Sequence, residues 1–288
     1  MWFLYSLFSA FSVATSDALC KRAMMETPES EWLVGWVRLA YAVPFLLMGL
    51  WFVPIPPLDA TFWIVIACML PLELGSYVLY LRAIRTSPMS LTLPLLSFTP
   101  LFLILTSYLV LGERPTPLGL TGVLMISSGS YLLNLHEIRS GWLGPLRSLL
   151  REPGARAMLV VALVYSVTSV LGKVGLQHSS PTFFAIVYFV LLSLIFTPIS
   201  FWRAQPAARN LVAQPVRFVL IGFFYFSMIL FHYLALESVA VPYMISVKRT
   251  SMVFSVLYGW ALFHESHIRQ RLLGCAVMLA GACLIAFA

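Results

Sequence analysis

The chain of 288 residues is 60% apolar or aromatic and only 10% charged, with a mean hydropathy of +0.92. Soluble domains carry about 25% charged and about 45–50% apolar residues, so the composition excludes an ordinary globular domain. A spanning helix needs about 20 apolar residues, so ten spans would take roughly 200 of the chain and leave little for a soluble domain, and hence for most conventional enzymes or nucleic-acid binders.

Apolar runs bounded by polar or Pro/Gly punctuation predict helices at 2–24, 32–53, 60–82, 88–111 and 117–135, then at 156–176, 181–202, 217–237, 242–263 and 270–287. Each run is apolar on nearly every face, as lipid requires of helices that satisfy their backbone internally. The first run starts at residue 2 with no basic region and no small-residue cleavage site, which predicts a retained helix and no removed leader. The one long polar stretch, between the fifth and sixth runs, holds Arg139, Trp142, Arg147, Leu149, Arg151 and Arg156. It reads either as a linker joining two halves or as a short interfacial segment.

The net charge of +7 resolves by position. Lys21, Arg22, Arg82, Arg85, Arg139, Arg147, Arg151, Arg156, Arg203, Arg209, Arg217, Arg269 and Arg271 fall in the connections after odd-numbered spans, whereas the opposite connections and termini hold only Arg114. The positive-inside rule places the first set in the cytoplasm and both termini outside an inner (plasma) membrane. No nucleic-acid partner is then needed to explain the basic balance. Cys20, Cys68, Cys275 and Cys283 lie inside apolar runs without CxxC or His-rich spacing, so neither a disulfide framework nor a metal site nor any other cofactor is expected.

Sliding the chain against itself by 152 residues superposes Lys21 on Lys173, Glu113 on Glu265, Leu120 on Leu272, Gly122 on Gly274 and Gly129 on Gly281. A shift of one more residue brings Tyr80 and Leu81 onto Tyr233 and Leu234. A unit of five spans has to cross in opposite senses in its two copies, so the expected fold class is an all-α integral membrane protein with ten helices in two inverted five-helix repeats. Residues 1–135 and 156–288 form the repeats and 136–155 the connection. Carriers built this way hold substrate near the midplane between the repeats. The glycine pairs in the fifth and tenth helices predict close helix packing and offer a homodimer surface away from the substrate.

The stretch from Tyr80 to Pro117, YLRAIRTSPMSLTLPLLSFTPLFLILTSYLVLGERPTP, resembles the EamA-type drug/metabolite transporter superfamily through Pro100 and the turn Gly112-Glu113-Arg114. The second copy resembles the same unit with Glu265 kept, His264 and Ser266 replacing the flanking residues, and Met252 in place of Pro100. Arg38 resembles the second-helix arginine of that group. The resemblance implies a transporter, not an enzyme, and leaves the substrate open.

Four basic residues, Arg38, Lys173, Lys248 and Arg249, fall inside predicted spans, where an ionisable group is costly unless it meets a partner or a wet cavity. Lys248 and Arg249, adjacent in the ninth span, flank one sector of a helix and can grip different oxygens of one anion. With Lys173 they form a candidate anion site, and His232, Tyr225 and Tyr233 add hydrogen bonds; the second half offers no acidic residue at their depth. Arginine binds carboxylate or phosphate by its planar fork and lysine as a point charge. The Lys-Arg pair with Lys173 also resembles the phosphate-binding set of the sugar-phosphate translocators. Alternatively these cations pair with Asp17 or Glu73 across the repeats.

In the first half Asp17 and Lys21, one turn apart, can pair with each other. Glu73, in the middle of the third span, either neutralises Arg38 or takes up a proton during transport. Glu113 and Glu265 end spans just before a new helix and are expected to tie the next helix N-terminus. Prolines 88, 94, 100 and 242 mark spans able to bend. The expected activity is carriage of a small anionic, phosphorylated metabolite by alternating access. Export of amino acids or other amphipathic metabolites is the alternative, and a lipid-headgroup flippase or membrane enzyme stands further off.

Overall fold

The structure, a computed structural model, describes residues 1–26, 31–87, 92–132, 152–203, 215–263 and 268–288. Most of the connection at 136–155, Pro88, Arg209 and the segment with His264, Glu265 and Ser266 lie outside the described residues.

All regular structure among them is helical. The helices are α1 (Trp2–Glu26), α2 (Glu31–Ala40), α3 (Val43–Met48), α4 (Ala60–Thr86), α5 (Phe98–Leu111), α6 (Pro117–Leu132), α7 (Pro153–Gln177), α8 (Pro181–Arg203), α9 (Pro215–Glu237), α10 (Val241–Lys248), α11 (Ser251–Phe263) and α12 (Ile268–Ala286). Short 3₁₀ turns occupy Gly49–Trp51 and Leu93–Ser97. Six stretches are long and apolar enough to cross a membrane: Trp2–Met25, Glu31–Trp51, Ala60–Thr86, Pro153–Gln177, Pro181–Arg203 and Pro215–Glu237. Large apolar side chains such as Leu105 and Leu109 on α5, Leu194 on α8 and Leu273 on α12 stay exposed on the outside. Water would penalise so much apolar surface, and lipid does not.

Three runs that read as single helices are broken. The second divides into α2 and α3 at Tyr41–Ala42, where Pro44 sits in the first turn of α3 and cannot donate to the preceding carbonyls. The fourth opens with the 3₁₀ turn carrying Pro94 before α5 begins. The ninth breaks between Lys248 and Ser251 with neither proline nor glycine at the break; Thr250 N donates to Val247 O at 3.0 Å and Met252 N to Arg249 O at 3.1 Å, the tighter i→i−3 pattern. A mid-helix 3₁₀ step commonly marks a functional site, and irregular backbone at membrane depth survives only where protein or a cavity covers it.

The helix partners exchange between the two halves. α1 packs on α9 as α7 packs on α4, and α1 meets α11 as α7 meets α5. α6 packs along α12. There the repeated glycines meet in one chain: a Cβ on Gly122 would lie 2.7 Å from Gly281 O, and one on Gly129 2.8 Å from Gly274 O. Only a hydrogen fits between those backbones. The glycine faces are therefore filled within one chain, while Leu120 and Leu124 on α6 and Leu272, Leu273 and Leu279 on α12 stay exposed. Neither helix contributes to the central cavity.

Candidate functional site

Where the breaks of the fourth and ninth runs meet, the halves enclose a cavity of about 110 Å³. The turn at Arg249 corresponds, at the 152-residue shift, to Ser97 at the end of the first-half 3₁₀ turn. The two breaks touch: Arg249 donates through one terminal guanidinium nitrogen to Thr99 Oγ1 at 2.9 Å, and Ser97 Oγ lies 3.3 Å from Met252 Sδ. Arg249 is 8% exposed, its Nε has no partner, and no carboxylate lies within ion-pair distance of it among the described residues. A buried guanidinium with an idle donor, facing a cavity, is an unsatisfied group of a kind folded proteins rarely keep without use.

Lys248 ends α10 beside it. Its Nζ lies 2.9 Å from His232 Nδ1 and 3.2 Å from Met228 Sδ. Tyr225, Tyr233 and His232 on α9 line the same cavity. The structure thus gathers five of the six residues read as substrate-binding. The sixth, Lys173, is not among the lining residues.

Lys173 points instead to the face that carries Arg114. Its Nζ donates to Glu113 Oε1 at 2.8 Å and to Val239 O at 2.6 Å. Glu113 Oε2 accepts from Val241 N at 2.9 Å, so it ties the start of α10 rather than the helix that follows it in sequence. Local backbone explains the aim: Gly112 caps α5 in the left-handed region, φ +67°, which turns the chain so that Glu113 projects across to the other half. The sequence reading offered Asp17 or Glu73 as partners across the repeats, and the partner is Glu113, 60 residues earlier.

Two more contacts join the halves at this face. Tyr243 Oη accepts from Thr116 N at 2.6 Å, and Asp59 Oδ2 lies 2.7 Å from His178 Nδ1. Asp59 also caps α4 by accepting from Phe62 N at 2.9 Å, and that backbone donor, helped by His178, holds its carboxyl below the usual carboxylate range. Together these tie the two halves at the Arg114 face.

In the first half, Asp17 pairs with Arg38 at 2.9 Å and accepts from Tyr80 Oη, both charges being only 2% exposed. Arg38 also lies over the Tyr225 ring, 4.2 Å from its centroid. This replaces two expected pairings, Asp17 with Lys21 and Glu73 with Arg38. Lys21 sits over the Phe263 ring at 5.2 Å. Glu73 lines the cavity from α4, beside Thr168 and in the field of Lys248.

The sequence reading missed the aromatic wall. Tyr77, Tyr80, Tyr165 and Tyr188 also line the cavity. The signal was available in part, since these tyrosines lie deep within spans instead of at the interfaces where tyrosine ordinarily anchors.

Comparison with known proteins places this architecture. No match is found among the curated proteins. Twenty-nine solved chains match, among them one described only as "Crystal structure of protein", with a TM-score of 0.73 over 99% of this chain and 96% of that one at 16% identity, a likeness of fold alone. The EamA-like transporter family matches twice, over residues 1–135 and again over 153–287, so the chain belongs to the EamA-like transporter family.

Proposed function

We propose that this membrane transporter is a secondary carrier for a small amphipathic metabolite bearing a carboxylate, bound in the central cavity and exposed alternately to the two membrane faces. The two family units would form ten spans, three of them broken, that cross in opposite senses. The exchange of helix partners between the halves supports that arrangement.

The observation that carries the substrate reading is Arg249 with Lys248 at the break between α10 and α11. Both are cations on a cavity, without a carboxylate in contact, at the kind of discontinuous helix where carriers bind substrate. The charge balance favours a single negative charge. Asp17 and Arg38 neutralise each other, Glu73 offsets one of Lys248 and Arg249, and one positive charge remains. A doubly charged phosphate would want a third cation, and Lys173 is engaged by Glu113. The tyrosine wall suits the apolar part of an amphipathic molecule.

Purified protein tested with L-phenylalanine, L-alanine, succinate, glucose 6-phosphate and phosphatidic acid decides between the classes. Carboxylates are expected to raise the thermal midpoint and to exchange across liposome membranes. A response confined to glucose 6-phosphate would restore the phosphate reading, one confined to phosphatidic acid would indicate a flippase, and no response would sink both carboxylate and phosphate readings.

For alternating access the contacts of Glu113 with Lys173 and Val241 must break, since they span the halves at one face. The distribution of basic residues supports an orientation with that face outside an inner membrane. A single cysteine appended after Ala288 in a cysteine-free chain should react with an impermeant maleimide from outside intact cells; protection there, with labelling only after lysis, reverses the orientation.

A further inference from the structure

Glu73 has no assigned task in carboxylate binding. It lies in the middle of α4, the longest helix, and faces the cavity. No cation lies within ion-pair distance of it among the described residues, although three line the same cavity. Arg38 is committed to Asp17, Arg249 to Thr99, and Lys248 to His232. A carboxylate at this depth without a fixed countercharge cannot stay ionised cheaply through every state of a carrier.

Its surroundings are acceptors, hydroxyls and cations. Thr168 and Tyr165 from α7, Tyr188 from α8, Tyr225, His232 and Tyr233 from α9, Lys248 from α10 and Arg249 at the break line the cavity with it. Tyr188 is 1% exposed, and its hydroxyl is turned toward Glu73. The Asp17–Arg38 pair from α1 and α2 brings no net charge. Among the described residues Lys248 and Arg249 are the cavity cations without a carboxylate in contact, and Lys248, whose charge acts on Glu73, also serves the proposed substrate site.

We propose that Glu73 is a proton-binding site coupled to substrate through competition for Lys248. In the empty cavity Lys248 rests on His232, and its charge acts on the Glu73 carboxylate across the cavity without an ion pair. A substrate carboxylate draws that ammonium to itself, and Glu73, left beside a second negative charge, takes one proton from water onto a carboxylate oxygen. Substrate and proton then occupy the cavity together. The coupling rests on the carboxylate reading above, and the linkage is reciprocal: substrate favours the proton and the proton favours substrate.

The test has two arms. In the first, binding of succinate and L-phenylalanine to purified protein is measured by thermal shift from pH 5 to pH 9. Wild type is expected to lose affinity about tenfold per pH unit in the alkaline range, as one linked proton requires. Glu73→Gln is expected to bind with affinity independent of pH, and Glu73→Asp to restore the slope. In the second, N,N′-dicyclohexylcarbodiimide, which attacks protonated carboxyl groups, is used without substrate, and the peptide containing Glu73 is followed by mass spectrometry. Modification should rise as pH falls and rise further with succinate. A flat pH profile in wild type, an unchanged slope in Glu73→Gln, or no modification of Glu73 at any pH overturns the proposal. If neither carboxylate binds while carbodiimide modification still follows pH, the substrate reading fails and the protonation of Glu73 stands.

Discussion

Replacing Arg249 by methionine is expected to weaken ligand response and transport while making the protein more stable. The side chain is buried, its Nε is idle, and its charge lacks a carboxylate in contact. An uncompensated buried charge is a net cost to folding, so an apolar replacement of similar length should recover about 1–2 kcal/mol. For a chain of this size that is a rise of about 2–6 °C in thermal midpoint. Transport should move the other way. A charge-assisted hydrogen bond to a ligand carboxylate is worth about 1.5–3 kcal/mol, so losing Arg249 should lower kcat/KM about 10- to 100-fold. Lys248→Ala should act similarly, and the double variant should approach the product of the two. Arg249→Lys keeps the charge but not the fork and should fall between. Thermal scanning of the apo proteins beside liposome exchange reads both signs at once. If Arg249→Met melts earlier than wild type and still transports, the arginine serves the fold and the anion site is elsewhere.

Arg38→Met should do the opposite. Arg38 and Asp17 are both 2% exposed and 2.9 Å apart, so removing the guanidinium strands a buried carboxylate with Tyr80 as its remaining hydrogen-bond donor. Breaking such a pair from one side costs about 3–5 kcal/mol. The midpoint should fall by about 10 °C. The double replacement Asp17→Leu with Arg38→Met removes both charges and should recover most of the loss, because the pair is expensive to break and cheap to replace. A double variant as unstable as Arg38→Met alone would show that the cost comes from lost packing against Tyr225 rather than from the stranded charge. Arg38 and Arg249 are both buried arginines in spans lining one cavity, and the partner each has, or lacks, sets the sign of the effect.

That contrast marks the boundary of what the sequence made legible. The helical, membrane-embedded class follows from apolar runs of about 20 residues, since the bilayer leaves few other solutions for the backbone. The duplication shows in the recurrence of Lys21 and Lys173 and of the glycine pairs, because both copies keep the same close-packing requirement. The depth of Lys248 and Arg249 follows from counting residues along a helix at 1.5 Å each. These properties depend on distance along the chain, which one sequence contains.

Pairing depends on helix rotation and neighbourhood, which it does not. Lys173 meets Glu113, 60 residues away, and Asp17 meets Arg38 from another helix instead of Lys21 one turn along its own. Once α1 packs against α2 and α4, the buried guanidinium and the Tyr80 hydroxyl outbid a local i,i+4 contact worth only a few tenths of a kcal/mol. The break at Arg249 has neither proline nor glycine to announce it, and it meets Thr99 from the other half. The tyrosine wall joins α4, α7, α8 and α9, whose members are unrelated along the chain until the halves close. Sequence alone determined that the protein is helical, duplicated and embedded in the membrane, with two cations deep in one span. The tertiary structure decided which charges cancel and which remain to meet a ligand, because electrostatic partnership acts over a few ångströms of space, and only packing brings distant residues within that range.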